Sequence, residues 1–232
     1  MQRRVLRISL VFLCFLPFWG GKFGLADDLK TAREIVRRAQ VTAESFHMDV
    51  NLYPEWKRLL SEARGVLIFP QVVKGGFIVG GSGGSGVLIA RDRSSGRWHG
   101  PAFYSIGGVS FGLLAGVKVA EVVVVVRTEN GINRLLSTGV KLGADLSVAA
   151  GPVGGGIGAG NIVADLVVLS RSKGVYGGLS LEGSVVGVRG DLNRAYYGRA
   201  VDPVDILIFG RVRNPHASGL INAVRKLTGE RI

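Results

Sequence analysis

Two overlapping patterns in the middle of the chain contain residues that could carry chemistry. Gly81, Gly83 and Gly86 have the Gly-x-Gly-x-x-Gly spacing of a dinucleotide-binding turn. Ser82 stands in a Gly-x-Ser-x-Gly pattern, and Ser110 lies in a second glycine-flanked stretch, Gly-Val-Ser-Phe-Gly. A serine in such a setting is typical of the nucleophile of an α/β-hydrolase. The patterns therefore raise two hypotheses, a nucleotide site and a serine hydrolase.

Both chemistries need a helix directly after the pattern, and the sequence does not provide one. Gly86 is followed by the strand-like run Val-Leu-Ile-Ala-Arg-Asp, and no acidic residue stands about 20 positions further on, where a ribose would need it. After Ser110, Gly112 and Gly116 interrupt any helix, and a run of valines follows. His216 does follow Ser110 in hydrolase order, so a hydrolase that uses Ser110 stays an alternative hypothesis. We predict a protein that is not an enzyme and has no catalytic residue.

The titratable residues show no spacing typical of a metal site. His47, His99 and His216 are dispersed, and none has ligand-like spacing with a second histidine or a carboxylate. Asp145 and Asp165 lie in otherwise apolar stretches and could meet in space. We favour the interpretation that they accept hydrogen bonds from nearby amides or pair with arginine. The sequence thus predicts neither a metal nor a cofactor.

The first 26 residues have the order of a secretory signal peptide. Three arginines precede an apolar run of 12 residues, and small residues at Gly24 and Ala26 stand before Asp27. We predict cleavage near Ala26 and a periplasmic or secreted protein; an uncleaved membrane anchor is the alternative. The only cysteine, Cys14, lies within this run, so the mature chain would contain no thiol and no disulfide.

The composition favours an acidic partner. The net charge is +12, and removal of residues 1–26 with their four basic residues lowers it to +8. A positive surface attracts anionic lipid, acidic protein or nucleic acid. Nucleic acid is disfavoured because no basic run is interleaved with aromatic residues and no nucleic-acid-binding motif is present. We expect a peripheral membrane protein or a protein-binding module.

Helical patterns stand at both ends of the mature chain. Apolar residues recur at spacings of three and four over 28–48, and a second short helix is predicted from Pro54. In the tail, Asp202 and Pro203 are typical of a helix start, and a last helix ends at Gly229. We assign an N-terminal helical segment to 27–63 and a C-terminal helical tail, packed on the same domain, to 201–232.

Between these segments, residues 64–200 form a glycine-rich β domain. Short β-rich runs alternate with glycine, serine and aspartate, and 30 of the 36 glycines fall between positions 65 and 198. The pattern is typical of an antiparallel meander, with the run of five valines from 122 to 126 in a central strand covered on both faces. The fold class is α+β, with a mainly antiparallel, strongly curved, glycine-rich sheet, sandwich or barrel-like, flanked by N-terminal and C-terminal helices.

The sequence of this middle region resembles that of a known family, the SYLF domain, also called the actin-binding domain of the yeast Las-binding proteins. The resemblance covers roughly residues 62–198 and is to an exported bacterial-type member. It implies a lipid-binding domain, since eukaryotic relatives bind phosphoinositides and fungal relatives also bind and bundle actin; no catalytic residue transfers. The stretches that carry it are KGGFIVGG, GVLIARD, RWHGPAFYSIGGVSFGLLAGVKVAEVVVVV, LGADLSVAAGPVG and SRSKGVYGGLSLEGSVVGVRGDLNRAYYG.

The basic residues near these stretches are the predicted contacts for anionic phospholipid. Aromatic residues could anchor the domain at the membrane interface. The alternatives are core packing for the aromatic residues, solubility for the basic residues, and a protein-interaction scaffold for the domain. The predicted lipid-binding residues are Lys74, Arg91, Arg93, Arg97, Lys141, Arg171, Lys173, Arg189, Arg194, Trp98 and Tyr104, with Phe103 as a further aromatic candidate.

Overall fold

The structure is a computed structural model that describes residues 24–50, 54–76, 79–111, 116–151, 163–172, 175–176 and 181–230. The predicted signal peptide falls almost entirely outside these residues. Among the described residues, helices flank a sheet in chain order. The helices are α1 (Leu25–Val50), α2 (Pro54–Ser61), α3 (Glu129–Leu135), α4 (Gly190–Tyr197) and α5 (Ser218–Leu227).

The sheet of the described residues has nine strands and curls into a half-barrel. Its order is β5-β9-β3-β2-β1-β4-β7-β6, with β8 paired to β7. All pairs are antiparallel except β6 with β7. The strands are β1 (Gly65–Gly76), β2 (Val79–Arg91), β3 (Trp98–Phe111), β4 (Gly116–Val126), β5 (Val140–Lys141), β6 (Val148–Ala150), β7 (Leu166–Ser172), β8 (Val175–Tyr176) and β9 (Val185–Val188).

The predicted fold class is confirmed, but the strand order differs from a meander. Strands β1, β2 and β3 pair in sequence, and β4 then lies beside β1 rather than β3. This is the Greek key order. A strand's pattern shows which faces are buried but not which neighbour it joins, so the sequence could not distinguish the two arrangements.

Both faces of the central strands are covered by apolar side chains. One core, the helix-side core, joins the sheet to α1, α2, α4 and α5. The opposite core joins the other face to α3 and to a π-helical turn at Val204–Ile208. In β4, Val123 and Val125 belong to the helix-side core, whereas Val122, Val124 and Val126 belong to the opposite core. The prediction of a central valine strand covered on both faces is therefore confirmed.

The long and the short helices differ in how well they were predicted. α1 and α2 lie where the pattern placed them, and α5 ends near Gly229 as expected. The tail also contains the π-helical turn and a single 3-10 turn at Pro215–Ala217. α3 and α4 were not predicted, because seven or eight residues give too few repeats of the helical period to stand out.

The glycine cluster serves contact between strands. Gly81, Gly83 and Gly86 all lie within β2, so no helix begins beside them. A Cβ on Gly86 would lie 2.2 Å from the Ile68 carbonyl oxygen, because β1 has a bulge at this point. Glycine here lets two backbones approach closely, which a phosphate-binding turn does not require.

Candidate functional site

One end of the sheet carries little side-chain cover from the other described residues. There β1 to β4 continue past the two cores as a segment we call the glycine wing, residues 73–76, 80–83, 107–109 and 117–119. Half of these residues are glycine. The wing is held by the strand ladders, since each of its strands remains paired with its neighbours. It is a thin, ordered platform whose few side chains are spaced by the sheet.

Valine side chains project from the wing on the face where α1 lies. Glu121 accepts a hydrogen bond from Thr42 of α1 at 3.0 Å, so Val117 and Val119, two and four residues away in β4, share that face. Val73 pairs with Val119, and Val109 lies in the same row as Val117, across Gly81 and Gly75. The exposed fractions are 39% for Val73, 68% for Val109, 71% for Val117 and 45% for Val119.

Two lysines occupy the opposite face of the wing. Lys74 of β1 lies directly across from Lys118 of β4. Cβ atoms of directly opposed residues are about 5 Å apart, and like charges in this position repel. Neither lysine side chain has an ion pair or hydrogen bond with another described residue. This pair is a cationic site without a counter-charge in the described protein.

Hydroxyl groups continue the row from the lysine pair across the wing. Ser82 of β2 pairs with both Lys74 and Gly108. A Cβ on Gly108 would lie 3.2 Å from Ser82 Oγ and 2.9 Å from Ser184 Oγ, so both hydroxyls lie against this glycine. Two ammonium groups and the Ser82 hydroxyl therefore lie along one row of the sheet, an arrangement suited to an anion with several oxygen atoms.

The sequence identified Lys74 but missed Lys118. Lys118 stands in a strand of alternating lysine and valine, Val117 to Val119, and that alternation was a usable signal for a side chain opposite the valines. Its position beside Lys74 depends on the register between β1 and β4, which are 44 residues apart at this pair.

Several other predicted basic residues are already paired with carboxylates. Arg171 lies between Asp49 and Glu121 with its side chain only 18% exposed. The remaining pairs are Arg91 with Glu230, Arg93 with Glu129, and Arg189 with Asp191. Each of these four arginines lies beside a carboxylate that offsets its charge. Together they therefore attract an anionic partner less strongly than four unpaired arginines would.

The rest of the predicted basic residues are spread over the surface. Arg97, Lys141 and Arg194 are exposed, and none has an ion pair with another described residue. They lie respectively before β3, in β5 and on α4, so they do not share the wing. Lys173 lies outside the described residues. The structure thus groups Lys74 with the newly found Lys118 and leaves the other predicted residues apart.

The aromatic candidates are in the interior. Tyr104 is completely buried and donates its hydroxyl to the Leu135 carbonyl at 2.7 Å, while Phe103 is buried against Tyr196. Burial raises the pKa of Tyr104 above its usual value. Trp98 is 7% exposed and donates its indole N–H to Glu230 at 2.8 Å. Tyr104 and Phe103 cannot reach a membrane surface. They pack in the core, which was the alternative interpretation of the aromatic residues.

The backbone around Ser110 lacks the arrangement that the hydrolase hypothesis requires. β3 runs through Ser110 to Phe111 and β4 begins at Gly116, which is a strand-to-strand rather than a strand-to-helix arrangement. His216 Nδ1 lies 3.3 Å from the Tyr196 hydroxyl, on the helical side of the molecule. The described residues contain no cluster of histidine, cysteine or carboxylate groups of the size that holds a metal.

The two aspartates have the structural role that the sequence favoured. Asp145 accepts a hydrogen bond from the Lys141 backbone N–H at 2.7 Å. Asp165 accepts from the Ser147 backbone N–H and hydroxyl, and from Thr128, which caps α3. Each carboxylate satisfies local donors.

None of the helices in the described residues is both long enough and apolar enough to span a bilayer.

Comparison with known proteins gives a family and several relatives. The family model described as "Ysc84: Las17-binding protein actin regulator" matches residues 107–227. The chain is 30% identical over 200 residues to LAS seventeen-binding protein 3 of Saccharomyces cerevisiae. The aligned stretch covers 83% of this chain and 42% of that protein. It is 31% identical over 175 residues to the human SH3 domain-containing YSC84-like protein 1. That aligned stretch covers 73% of this chain and 50% of the human protein.

The shared part is thus one portion of each relative. The chain spans half or less of the length of these two proteins. The matched region includes the end of β3, all of β4 and the later elements, and therefore the wing portions of two strands.

Proposed function

The chain belongs to the Ysc84 family of Las17-binding actin regulators, and we propose that it is a non-enzymatic module that binds the surface of anionic phospholipid membranes. The observation that carries this proposal is the glycine wing. It presents exposed valines on one face, and on the other face two adjacent lysines that have no ion pair with a described carboxylate. A surface with both features suits the boundary between lipid headgroups and acyl chains.

The valines supply the apolar part of the binding energy. Val109 and Val117 are the most exposed of the four, and their transfer into the acyl boundary would contribute roughly 1 kcal/mol each. The flanking glycines leave the valines prominent, since no larger side chain of the described wing stands beside them on that face. The wing would enter the interface with its edge foremost.

The lysine pair supplies the electrostatic part. Each lysine near an anionic leaflet contributes about 1 kcal/mol. A phosphate placed between Lys74 and Lys118 would also relieve their mutual repulsion, which no described carboxylate offsets. Ser82, in the same row, is placed to donate a hydrogen bond to the same headgroup.

Co-sedimentation with vesicles tests the proposal. The protein is expected to pellet with vesicles that contain phosphatidylglycerol but not with phosphatidylcholine alone, and pelleting should fall as salt rises from about 0.05 to 0.5 M. Lys74→Gln with Lys118→Gln should weaken binding about tenfold or more. Val109→Ser with Val117→Ser should weaken it by a similar factor, without a change in the salt dependence.

Matched controls separate this site from net charge and general apolarity. Lys57→Gln with Lys226→Gln removes the same charge from the exposed faces of α2 and α5 and should change binding less than twofold. Val41→Ser with Val163→Ser alters two other exposed valines. Equal pelleting with both vesicle types, or equal loss in control and wing variants, would contradict the proposal.

A protein partner is the second candidate function, favoured by the family description and by the names of the yeast relatives. The exposed valines would then bind an apolar protein surface, and the lysines an acidic one. Co-sedimentation with filamentous actin, with the same wing variants, measures this directly. Pelleting with actin but not with anionic vesicles would replace the lipid proposal by this one.

We also propose that the protein is exported, with cleavage after Ala26 and a mature chain that begins at Asp27. The apolar run after the N-terminal arginines supports this proposal. N-terminal sequencing of the protein from an extracytoplasmic fraction should give Asp-Asp-Leu-Lys. Retention of Met1 in a membrane fraction would instead indicate an uncleaved anchor.

A further inference from the structure

A second concave region lies at the far end of β3 from the wing. It is a cleft of about 720 Å³ between the start of β3 and the segment that leads into α5. Apolar and aromatic side chains form part of its wall, and arginine, histidine and serine form the rest. The lining includes Arg97, Trp98, His99, Val212, Arg213 and Ile221.

Two arginines give the cleft a net positive charge. Arg213 is exposed and has no ion pair or hydrogen bond with another described residue, and Arg97 has only the neutral Ser95 hydroxyl, 3.3 Å from its Nε. Glu230, the one acid among the described residues of the wall, is already occupied. It accepts the Trp98 indole N–H and pairs with Arg225 at 3.0 Å and with Arg91 at 3.2 Å. Glu230 therefore does not offset the charge of Arg97 or Arg213.

A buried imidazole in the same wall lacks a partner. His99 is 9% exposed, and its Nδ1 has no hydrogen bond with any described group. The edge of the ring abuts Gly210, where a Cβ would lie 2.7 Å from the imidazole Cε1. A buried polar nitrogen without a partner is costly and rare in folded proteins. This nitrogen is closed to solvent, so a ligand oxygen in the cleft would reach it only if the imidazole rotated.

We propose that this cleft binds a phosphate monoester that carries a small apolar group. The phosphate is nearly dianionic at neutral pH, which matches the two unpaired guanidinium groups of Arg97 and Arg213. The apolar group lies against Trp98, Val212 and Ile221. This site is additional to the membrane-binding wing and does not depend on it.

The cleft and the wing lie far apart, at opposite ends of β3. Trp98 and Val109 stand eleven residues apart in one strand, a distance of up to about 36 Å. A molecule whose wing lies in a bilayer therefore holds the cleft away from that bilayer. This choice of source rests on the proposed function of the wing, and it favours a soluble phosphate ester over the headgroup of the same membrane.

Titration with phenyl phosphate tests the site, with inorganic phosphate for comparison. The indole N–H resonance of Trp98, identified by its loss in Trp98→Phe, should shift and saturate, while that of the buried Trp56 stays in place. Phenyl phosphate should bind more tightly than inorganic phosphate, because only the ester has an apolar group. Calorimetry on Arg97→Gln with Arg213→Gln should show at least a tenfold weaker affinity.

Arg134→Gln with Arg194→Gln removes the same charge from α3 and α4 and should change the affinity less than twofold. Absence of saturation in the wild type, or equal affinities for both double variants, would overturn the proposal. Vesicles of phosphatidic acid identify the source of the phosphate: pelleting that Arg97→Gln with Arg213→Gln leaves unchanged indicates a soluble ester, and pelleting that it abolishes indicates a lipid headgroup. The Lys74→Gln, Lys118→Gln variant should keep phenyl phosphate binding even where it loses vesicles, so the two proposals can fail separately.

Discussion

Gly86 and Gly81 belong to the same strand and to the same sequence pattern, but only Gly86 is required by packing. A Cβ at Gly86 would meet the Ile68 carbonyl oxygen at 2.2 Å and Phe69 Cδ1 at 2.5 Å, whereas the nearest atom to a Cβ at Gly81 is 3.9 Å away. The spacing in the sequence is identical to that of a nucleotide-binding turn, and the contacts show a different purpose. Contact distances, rather than the pattern, separate structural from functional glycines.

This difference gives a prediction with an internal control. Gly86→Ala should lower the free energy of unfolding by about 3 kcal/mol, because the backbone of β1 cannot move away without disturbing its own pairing. Gly81→Ala should leave it unchanged or raise it by about 0.5 kcal/mol, since alanine lowers the entropy of the unfolded chain. Urea unfolding measures both. Equal effects would show that β1 and β2 are less closely packed at this point.

Asp165 gives a prediction for pH. Burial by itself would raise the pKa of this carboxyl, but hydrogen bonds from Thr128, Ser147 and Asn130 outweigh it and hold the pKa below its usual value. A lowered pKa in the folded state means that the carboxylate adds stability above about pH 4, and that this stability is lost as the pH falls through the folded pKa.

Asp165→Asn should therefore be less stable than the wild type at pH 7, and the difference should shrink as the pH falls below about 4. Urea unfolding at several pH values between about 2.5 and 7 measures it. A difference that stays constant over this range would show that the charge of Asp165 is not what stabilises the start of α3.

Among the helices of the described residues, α1 joins the most parts of the fold. Its buried stripe packs on the sheet and on α4 and α5. Phe46, near the C-terminal end of the helix, stacks on Trp56 of α2 with ring centroids 6.1 Å apart and lies under the Arg171 guanidinium at 5.3 Å. One side chain therefore connects α1, α2 and β7.

Phe46→Ala should destabilise the protein by about 3–5 kcal/mol, because it opens a cavity at this junction. Met48, two residues further along the helix and 66% exposed, is the control, and Met48→Ala should change stability by less than about 0.5 kcal/mol. Thermal or urea unfolding of the two variants measures the difference. A small effect of Phe46→Ala would indicate that α1 and α2 pack independently of each other.

For the whole molecule, the placement of the wing and the cleft at opposite ends of β3 defines an orientation on a membrane. With Cys14 removed by cleavage, cysteines introduced by Val109→Cys and Ser95→Cys would be the only thiols of the mature chain. An environment-sensitive dye attached at position 109 should shift its emission to the blue on vesicles with phosphatidylglycerol. The same dye at position 95, beside the cleft, should remain in water, and a blue shift there alone would contradict the proposed orientation.

The sequence by itself determined the features that repeat within a few residues. The period of α1, the valine strand and the glycine-rich β runs each identify an element from neighbouring positions, and together with the family motifs they predict the fold class. The absence of a helical pattern after Gly86 and Ser110 was also readable locally. Among the predicted lipid-binding residues, Lys74 was the one that the described structure places in the wing.

Only the tertiary structure decided which distant residues meet. Lys118 lies beside Lys74, Arg171 lies between Asp49 and Glu121, and Trp98 lies beside Glu230, all through contacts between residues far apart in the chain. Strand order and register set these contacts, and many registers satisfy the same apolar pattern. For this reason the sequence predicted a basic, curved sheet, while the wing, the paired arginines and the cleft became visible only when the strands were placed side by side.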